Sequence, residues 1–317
     1  MKKFLENLRK ELKKLNFKND EIEEIISDHE EMIGIAKEQG LTDEELHLKF
    51  GDPEKLAQDL KENTTSFVVE KGGNSVEGYT LLKTFPVLGK TFNVEINIIS
   101  DDIKYEIHDE DQIEVHYKNI SDIDKYEVGF DGQTFTLKRH EKSRIFSFTK
   151  SSGKFIVRVP EGITSDEFHI ISVSGDGKAT GINTKELAIK TTSGDFKLRA
   201  VQAEETKVAT VSGDLVVESA KFQSLSCSMV SGDATLNSVT VEEDITVNTV
   251  SGDMKIEDTS CENFTFKTVS GDCKGKEFYP KTISSRSVSG DLKIENSKEQ
   301  AINILKQTAV SGKVKIK

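Results

Sequence analysis

Seven aspartates recur at a nearly fixed interval: Asp176, Asp195, Asp214, Asp233, Asp253, Asp272 and Asp291. Each closes a Ser-Gly-Asp step, and all but one of these steps follow a valine. The glycines run from Gly175 to Gly312 in steps of 19, 19, 19, 20, 19, 19 and 22 residues, and the last step ends in Lys313 instead of Asp. Carboxylates in such a row could ligate cations, act as acid and base in a glycan-binding groove, or cap backbone N–H groups at a tight glycine turn. On stacked strands they would stand about 5 Å apart and repel one another unless hydrogen bonds, lysines or cations offset the charge. The pattern favours the turn. The nine-residue glycine-rich unit of calcium solenoids is absent, no second carboxylate recurs, and the repeat is nowhere broken to build a catalytic site.

The remaining reactive residue types do not converge. His29, His47, His108, His116, His140 and His169 are scattered. His29-Glu30-Glu31-Met32-Ile33 begins like a zinc-protease helix, but the second histidine is missing. Cys227 and Cys273 fall at inward positions of the repeat, and Cys261 is expected in an exposed loop. Lys138, Arg139, His140, Lys142 and Arg144 form a local basic patch, expected at a solvated hairpin tip. There is no P-loop and no G-x-S-x-G. The sequence therefore predicts a non-enzyme, with no catalytic, cofactor-binding or metal-binding residue.

The elements that position the aspartates follow from the columns around them. Eight residues before each Asp stand residues such as Phe168, Leu187, Leu225 and Phe264, with Leu305 expected in the same column of the last unit. Six before stand Ile170, Ile189, Val208 and Val247, and three after stand Leu198, Val217, Leu236 and Ile256. A valine column three before, including Val211, Val230 and Val250, reads as a further inward row. Period two on each side of the Ser-Gly-Asp turn predicts two short strands and two turns per unit. Such a unit cannot bury its own apolar face, so successive units must stack into a β-solenoid with coils of about 19 residues. An earlier copy fits Val94, Ile96, Ile99, Ser100, Asp102, Ile103 and Tyr105, with Asp101 in place of the glycine. Residues 64–167 then read as the solenoid's opening with inserted hairpins, and 168–317 as the repeat proper.

Residues 1–63 have a helical period instead. Leu5, Leu8, Leu12 and Leu15 form one stripe, and Ile22, Ile25, Ile26, Met32, Ile33 and Ala36 a second. Thr42 with Glu45 reads as a capping box, and Asp52–Pro53 opens a last helix. No such helix buries its stripe alone, so a small bundle is expected. Residues 1–18 carry seven basic and two acidic side chains, whereas residues 20–31 carry seven acidic and no Lys or Arg. The acidic face, Glu21, Glu23, Glu24, Glu30 and Glu31, is the candidate partner-binding surface, although the two helices could also neutralise each other.

The chain has 317 residues, 31% charged and 35% apolar, with a net charge of −12. That length suits two domains. The charge argues against direct nucleic-acid binding, since phosphate contacts need clustered Lys and Arg. No apolar run approaches the roughly 18 residues of a spanning helix, and the first residues lack a signal-peptide core. Three cysteines without C-x-x-C spacing fit a reducing compartment. The expected class is α+β: a helical domain over 1–63, then a single-chain β-solenoid, kept in the cytoplasm.

Two resemblances rest on these motifs. The V-S-G-D ladder, with its lead-in Phe155-Ile-Val-Arg-Val-Pro-Glu-Gly162, resembles a bacterial putative-adhesin family of unknown function whose members carry S-G-D repeats in a β-solenoid. Residues 1–63 resemble the helix-turn-helix-associated α-helical signalling domain, HAAS, through the leucine-striped basic helix, Asp28-His29-Glu30 and Phe50-Gly-Asp-Pro53. The resemblance implies a protein partner such as a PadR-like transcription regulator, a setting in envelope stress, and no established catalysis. The resulting expectation is a non-enzymatic signalling or scaffold protein. The alternatives are a surface adhesin or polysaccharide-binding solenoid and, less favoured, a glycan-active enzyme. Self-association through the solenoid ends is a further expectation, with Lys313, Lys315 and Lys317 blunting the last strand.

Overall fold

The structure is a computed structural model. It describes residues 2–15, 76–140 and 153–317, together with individual positions between 17 and 58. The chain divides into two compact units, Met1–Gly73 and Asn74–Lys317.

In the first unit, α1 (Lys2–Lys14) has apolar residues at helical spacing. They bury Phe4, Leu8 and Leu12 against Ile22, Ile26 and Ala57. Leu5, Leu15 and Ile25 pack at the edge of this cluster. Asp52 caps the last helical segment, its Oδ1 accepting the Glu54 N–H at 2.7 Å. Met32, Ala36 and Glu45 lie outside the described residues.

The second unit is the solenoid. Its coils begin with β2 (Asn93–Asn97) and β3 (Asp102–His108), which pair in parallel with β8 (Ser165–Ile171) and β9 (Gly177–Thr180) of the next coil. On the other side they pair in parallel with β6 (Thr134–Arg139) and β7 (Lys154–Pro160). The chain thus leaves after β3 and returns beneath its own first coil. Antiparallel strands finish that end: β4 (Gln112–Lys118) against β7, β1 (Thr80–Pro86) against β4, and β5 (Tyr126–Phe130) against β6. Of these, only β5 and β6 are consecutive strands joined as a hairpin; β4 bridges β1 and β7.

From β8 onward the register follows the sequence columns. Phe168, Leu187, Thr206, Leu225, Ile245, Phe264 and Ile283 stand opposite one another coil by coil. Asp101 takes the glycine position of the first coil, beneath Gly175. The 20-residue step is absorbed where Glu242 and Glu243 interrupt the strand, their N–H groups reaching the carbonyls of Phe222 and Gln223.

Three expectations need correction. First, Val173, Val211, Val230, Val250, Val269 and Val288 point outward, each 44–47% exposed. The inward residue at that corner is the one just before, a Ser or Thr such as Thr191 and Thr210, with Met229 in the coil of Val230. Second, each coil turns three corners instead of two. The missed one has a left-handed residue, φ +48° to +56° at Ala200, Ser219, Ser238, Asp258 and Glu277. Glycine marks this corner only at Gly181, so the usual signal is absent. Third, Ile304 and not Leu305 stands opposite Ile283; a bulge follows, and Leu305 is 62% exposed.

Glycine at the Ser-Gly-Asp corner is a matter of approach distance. A Cβ on Gly232 would lie 2.0 Å from the carbonyl oxygen of Gly213, and its counterparts at Gly194, Gly213, Gly252 and Gly271 meet the same obstacle at 1.9–2.0 Å. We expect Gly232→Ala to cost on the order of 3 kcal/mol, because backbone must move apart. Val250→Asp should stay within about 1 kcal/mol, as at other surface positions. Thermal or urea melts of the two variants check both; equal losses would show the corner geometry to be wrong.

Candidate functional site

The aspartate corner carries two ladders that run from coil to coil and a cap within each turn. The first is the carboxylate row. Asp176 Oδ1 accepts the backbone N–H of Asp195 at 3.0 Å, and Asp195 accepts that of Asp214 at 2.8 Å. The pattern continues through Asp233, Asp253, Asp272 and Asp291, where the Lys313 N–H is the last donor. Asp102 begins it, accepting the Asp176 N–H at 3.1 Å. Each carboxylate therefore bonds across to the next coil and not within its own turn. Among the described residues no group of three or more His, Cys, Asp or Glu could hold a metal ion.

The turn itself is capped by a different residue. Thr191, Thr210, Thr249 and Thr268 accept the N–H of the glycine three residues on at 2.8–3.0 Å, and Ser172 does so at 3.1 Å. Sequence reading missed this column, although Ser172, Thr191, Thr210, Thr249 and Thr268 recur with the repeat. The second ladder is serine: the hydroxyls of Ser193, Ser212, Ser231, Ser251, Ser270, Ser289 and Ser311 donate to the preceding coil's carbonyl at 3.2–3.4 Å.

Beside the aspartates stands a row of lysines two residues on, Lys178, Lys197, Lys255, Lys274 and Lys293. Several pair with acids: Lys197 with Glu218 of the next coil and Lys293 with Glu295 on its own strand, both at 2.6 Å, and Lys255 with Glu257 on its own strand at 3.1 Å. The hydrogen bond from Lys197 holds the Glu218 carboxyl below its ordinary range, and Lys293 does the same for Glu295. Lys274 and Lys276 enter no such pair among the described residues. A groove of about 410 Å³ runs here, lined by Asp253, Lys255, Asp272, Lys274, Lys276 and Lys293 among others. Alternating charges on a solvated sheet can bind a polar ligand at several points; nothing in the groove combines a nucleophile with a base.

The first coil holds the other polar cluster. Glu114 and His116 on β4 are buried, with His116 Nε2 3.1 Å from Glu114 Oε2. Arg158 donates to Glu114 at 3.0 Å, and the Gln112 amide donates to Glu114 at 3.2 Å. Burial pushes the Glu114 carboxyl up. The bonds from His116 and Gln112, with the charges of His108 and Arg158, outweigh it and hold the group below its usual range. His108 Nε2 lies 2.7 Å from the Gln112 carbonyl. Asp101 is buried beneath Arg139, 3.5 Å away, and accepts the Tyr126 hydroxyl. The basic patch is neutralised in part: Lys138 pairs with Glu95 at 2.7 Å and His140 lies 3.0 Å from Glu127. Lys142 and Arg144 lie outside the described residues, as do His29 and His47.

All three cysteines are buried. Cys261 lies within a strand, Met254–Lys267, and not in an exposed loop. Burial pushes the Cys227 and Cys261 thiols up to about 12, which leaves them protonated and poor nucleophiles. Of the candidate docking residues, Glu23 and Glu30 are exposed, and Glu23 pairs with Arg9. Glu21, Glu24 and Glu31 lie outside the described residues.

Two outcomes test these assignments. Asp214→Ala removes the acceptor for the Asp233 N–H and should cost about 1 kcal/mol. Asp214→Asn keeps an acceptor oxygen and should cost less, and millimolar calcium should leave the melting temperature unchanged; a calcium-dependent rise lost in Asp214→Ala would make the row a cation site. Because the Glu114 carboxyl is depressed in the folded state, its stabilisation is complete above about pH 5 and is lost as pH falls through the lowered value. Glu114→Gln should therefore flatten the acid limb of a plot of melting temperature against pH.

The comparisons with known proteins agree with this geometry. The HAAS family profile matches residues 3–59. Among solved structures, a protein described as a putative lipid binding protein from Parabacteroides distasonis superposes with a TM-score of 0.51 at 17% identity, covering 76% of this chain and 98% of the other. One described as a putative adhesin from Parabacteroides merdae gives 0.50 at 17% identity, covering 76% and 97%. At that identity the likeness shows the fold alone. No curated protein matches the sequence, and the matches indicate no enzymatic family. Among the described residues no helix is long and apolar enough to cross a membrane. The Toastrack DUF4097 profile matches residues 92–272 and 225–317, most of the chain, so the protein belongs to the Toastrack DUF4097 family.

Proposed function

We propose that this chain is a non-enzymatic signalling or scaffold protein. Its helical unit docks a protein partner, and its solenoid presents a binding or assembly surface. The observation that carries the reading is the HAAS match over residues 3–59, joined in one chain to a regular solenoid. The charge pattern supplies the docking chemistry. Seven acidic residues without a Lys or Arg follow a basic helix, and the described members Glu23 and Glu30 are exposed. The resemblance suggests a PadR-like transcription regulator as the partner and envelope stress as the setting, and the first residues, without an apolar signal-peptide core, fit a cytoplasmic location.

A second reading is a surface adhesin or polysaccharide-binding solenoid, in line with the description of the Parabacteroides merdae structure as an adhesin. One experiment separates the two. The full chain and a variant with Glu21, Glu23, Glu24, Glu30 and Glu31 changed to Lys are each tested for binding to a PadR-like regulator by calorimetry. Melting curves show whether the fold is intact. The signalling reading expects at least a tenfold loss of affinity in the variant, with its melting curve preserved. Undiminished affinity sinks the acidic face as the docking surface. Cleavage of the native protein by protease added to intact cells would instead place the solenoid outside and favour the adhesin.

A further inference from the structure

Among the described residues, the outward valines form a large apolar row that neither the core nor the proposed docking surface absorbs. Val173, Val211, Val230, Val250, Val269 and Val288 occupy the same place in six coils, each 44–47% exposed, with Thr192 completing the row. Successive coils are bonded in register, so the valines line up from coil to coil along one edge. Half-exposed valines in this number present on the order of 400 Å² of apolar surface, within the size range of functional patches on monomers. A chain with 31% charged residues has ample means to place a polar residue there.

The flanks of the row say what covers it. On one side, two residues before, the outward position holds Lys190, Lys267 and Arg286 in three coils, and no carboxylate in any coil from Ile171 to Arg286. None of these three cations has an ion-pair partner among the described residues. On the other side, three residues after, is the aspartate row. There Oδ1 is committed to the next coil, while Oδ2 makes no hydrogen bond among the described residues. One edge thus carries an apolar rail, unpaired cations on one flank and half-used carboxylates on the other.

We propose that two copies of this chain pair rail to rail, side by side and parallel, about a twofold axis along the solenoid. Charge selects this arrangement over the antiparallel one. Turning the second copy about an axis parallel to the rail sets its aspartate flank against the first copy's cationic flank. It also keeps equal coils level, so that Asp195, Asp272 and Asp291 of one copy face Lys190, Lys267 and Arg286 of the other. Turning it about a perpendicular axis sets aspartates against aspartates and cations against cations. The valine rail alone falls short of the roughly 800 Å² per partner of a stable interface, and the two charged flanks supply the rest. The symmetry is closed and isologous, so the assembly stops at two. This inference is independent of the partner proposed for the helical unit.

The test uses single-cysteine rails on the full chain, whose own thiols are buried. Val173→Cys, Val230→Cys and Val288→Cys are oxidised separately and in mixtures, and sedimentation velocity of the unmodified chain reports its mass. The parallel dimer expects a two-chain mass, and each variant should cross-link to itself. Val230→Lys with Val250→Lys should shift the mass to one chain with the melting curve preserved. Monomer at tens of micromolar overturns the proposal. So does an antiparallel pattern, in which Val173→Cys and Val288→Cys link only to each other, and so does sedimentation of a monomer with phosphatidylglycerol vesicles, which would make the rail a lipid-facing edge.

Discussion

The close stacking of glycine on carbonyl at one corner of every coil sets the rest of the solenoid. With only about 2 Å between the carbonyl oxygen of one glycine and the site a Cβ would take on the next, no other residue fits without parting the backbones. Coils held that near bring the Asp Oδ1 within reach of the next coil's N–H and the serine hydroxyl within reach of the preceding carbonyl. In five of the seven coils a serine or threonine four residues before the aspartate satisfies the glycine's own N–H. Two ladders and a cap share one corner, and each satisfies groups that the tight turn would otherwise leave unpaired. A wider stack would lose both ladders at once and leave only the cap, which lies within each turn.

The same geometry accounts for a row of carboxylates without a cation. Each Oδ1 receives a backbone donor, and the lysine row two residues on offers opposite charge. Like-charge repulsion between exposed groups a few ångströms apart is modest in water and screened by salt. Hydrogen bonding therefore decides the outcome. It also fixes the valines: with threonine turned inward as the cap, the next residue must face out. The apolar rail follows directly from the turn's hydrogen bonding, and its β-branched side chains suit the extended backbone leading into the corner.

Much of this was legible in the residues. The glycine steps gave the coil length, the columns at Leu187, Ile189 and Leu198 gave the register, and Asp101 was recognisable as a substitute glycine. The direction of the valine column was not legible. Period-two alternation breaks at any corner with two outward residues, and Val-Ser looks the same from either side. The left-handed corner at Ala200, Ser219 and Ser238 left no glycine or asparagine to mark it. The Glu114–His116–Arg158 cluster joins two strands that lie far apart in sequence, so no local pattern marks it. In the candidate site, the aspartates were found by spacing, but their acceptor role across coils required the stacking distance. The threonine cap was visible as a column and was passed over as a polar spacer.

Departures from the repeat show that the unit of packing is the pair of neighbouring coils. Gly177 leaves a gap in its column, and the Phe196 ring of the next coil occupies it, so closely that a Cβ on Gly177 would meet the ring at 2.0 Å. Gly275 interrupts an aliphatic column between Ile256 and Ile294, and Phe278, three residues on in the same coil, reaches into that space. Volume is thus balanced locally between adjacent positions, and a column read by itself looks defective where the interior is full. In a stack where each coil touches only its neighbours, such compensation cannot extend far. A change at Gly177 or Phe196 is felt by the coils beside it and not by the corner ladders several coils away. That separation lets outward residues vary from coil to coil, with Lys190, Ala209, Ser228 and Arg286 in equivalent places, while the glycine corner holds the register beneath them.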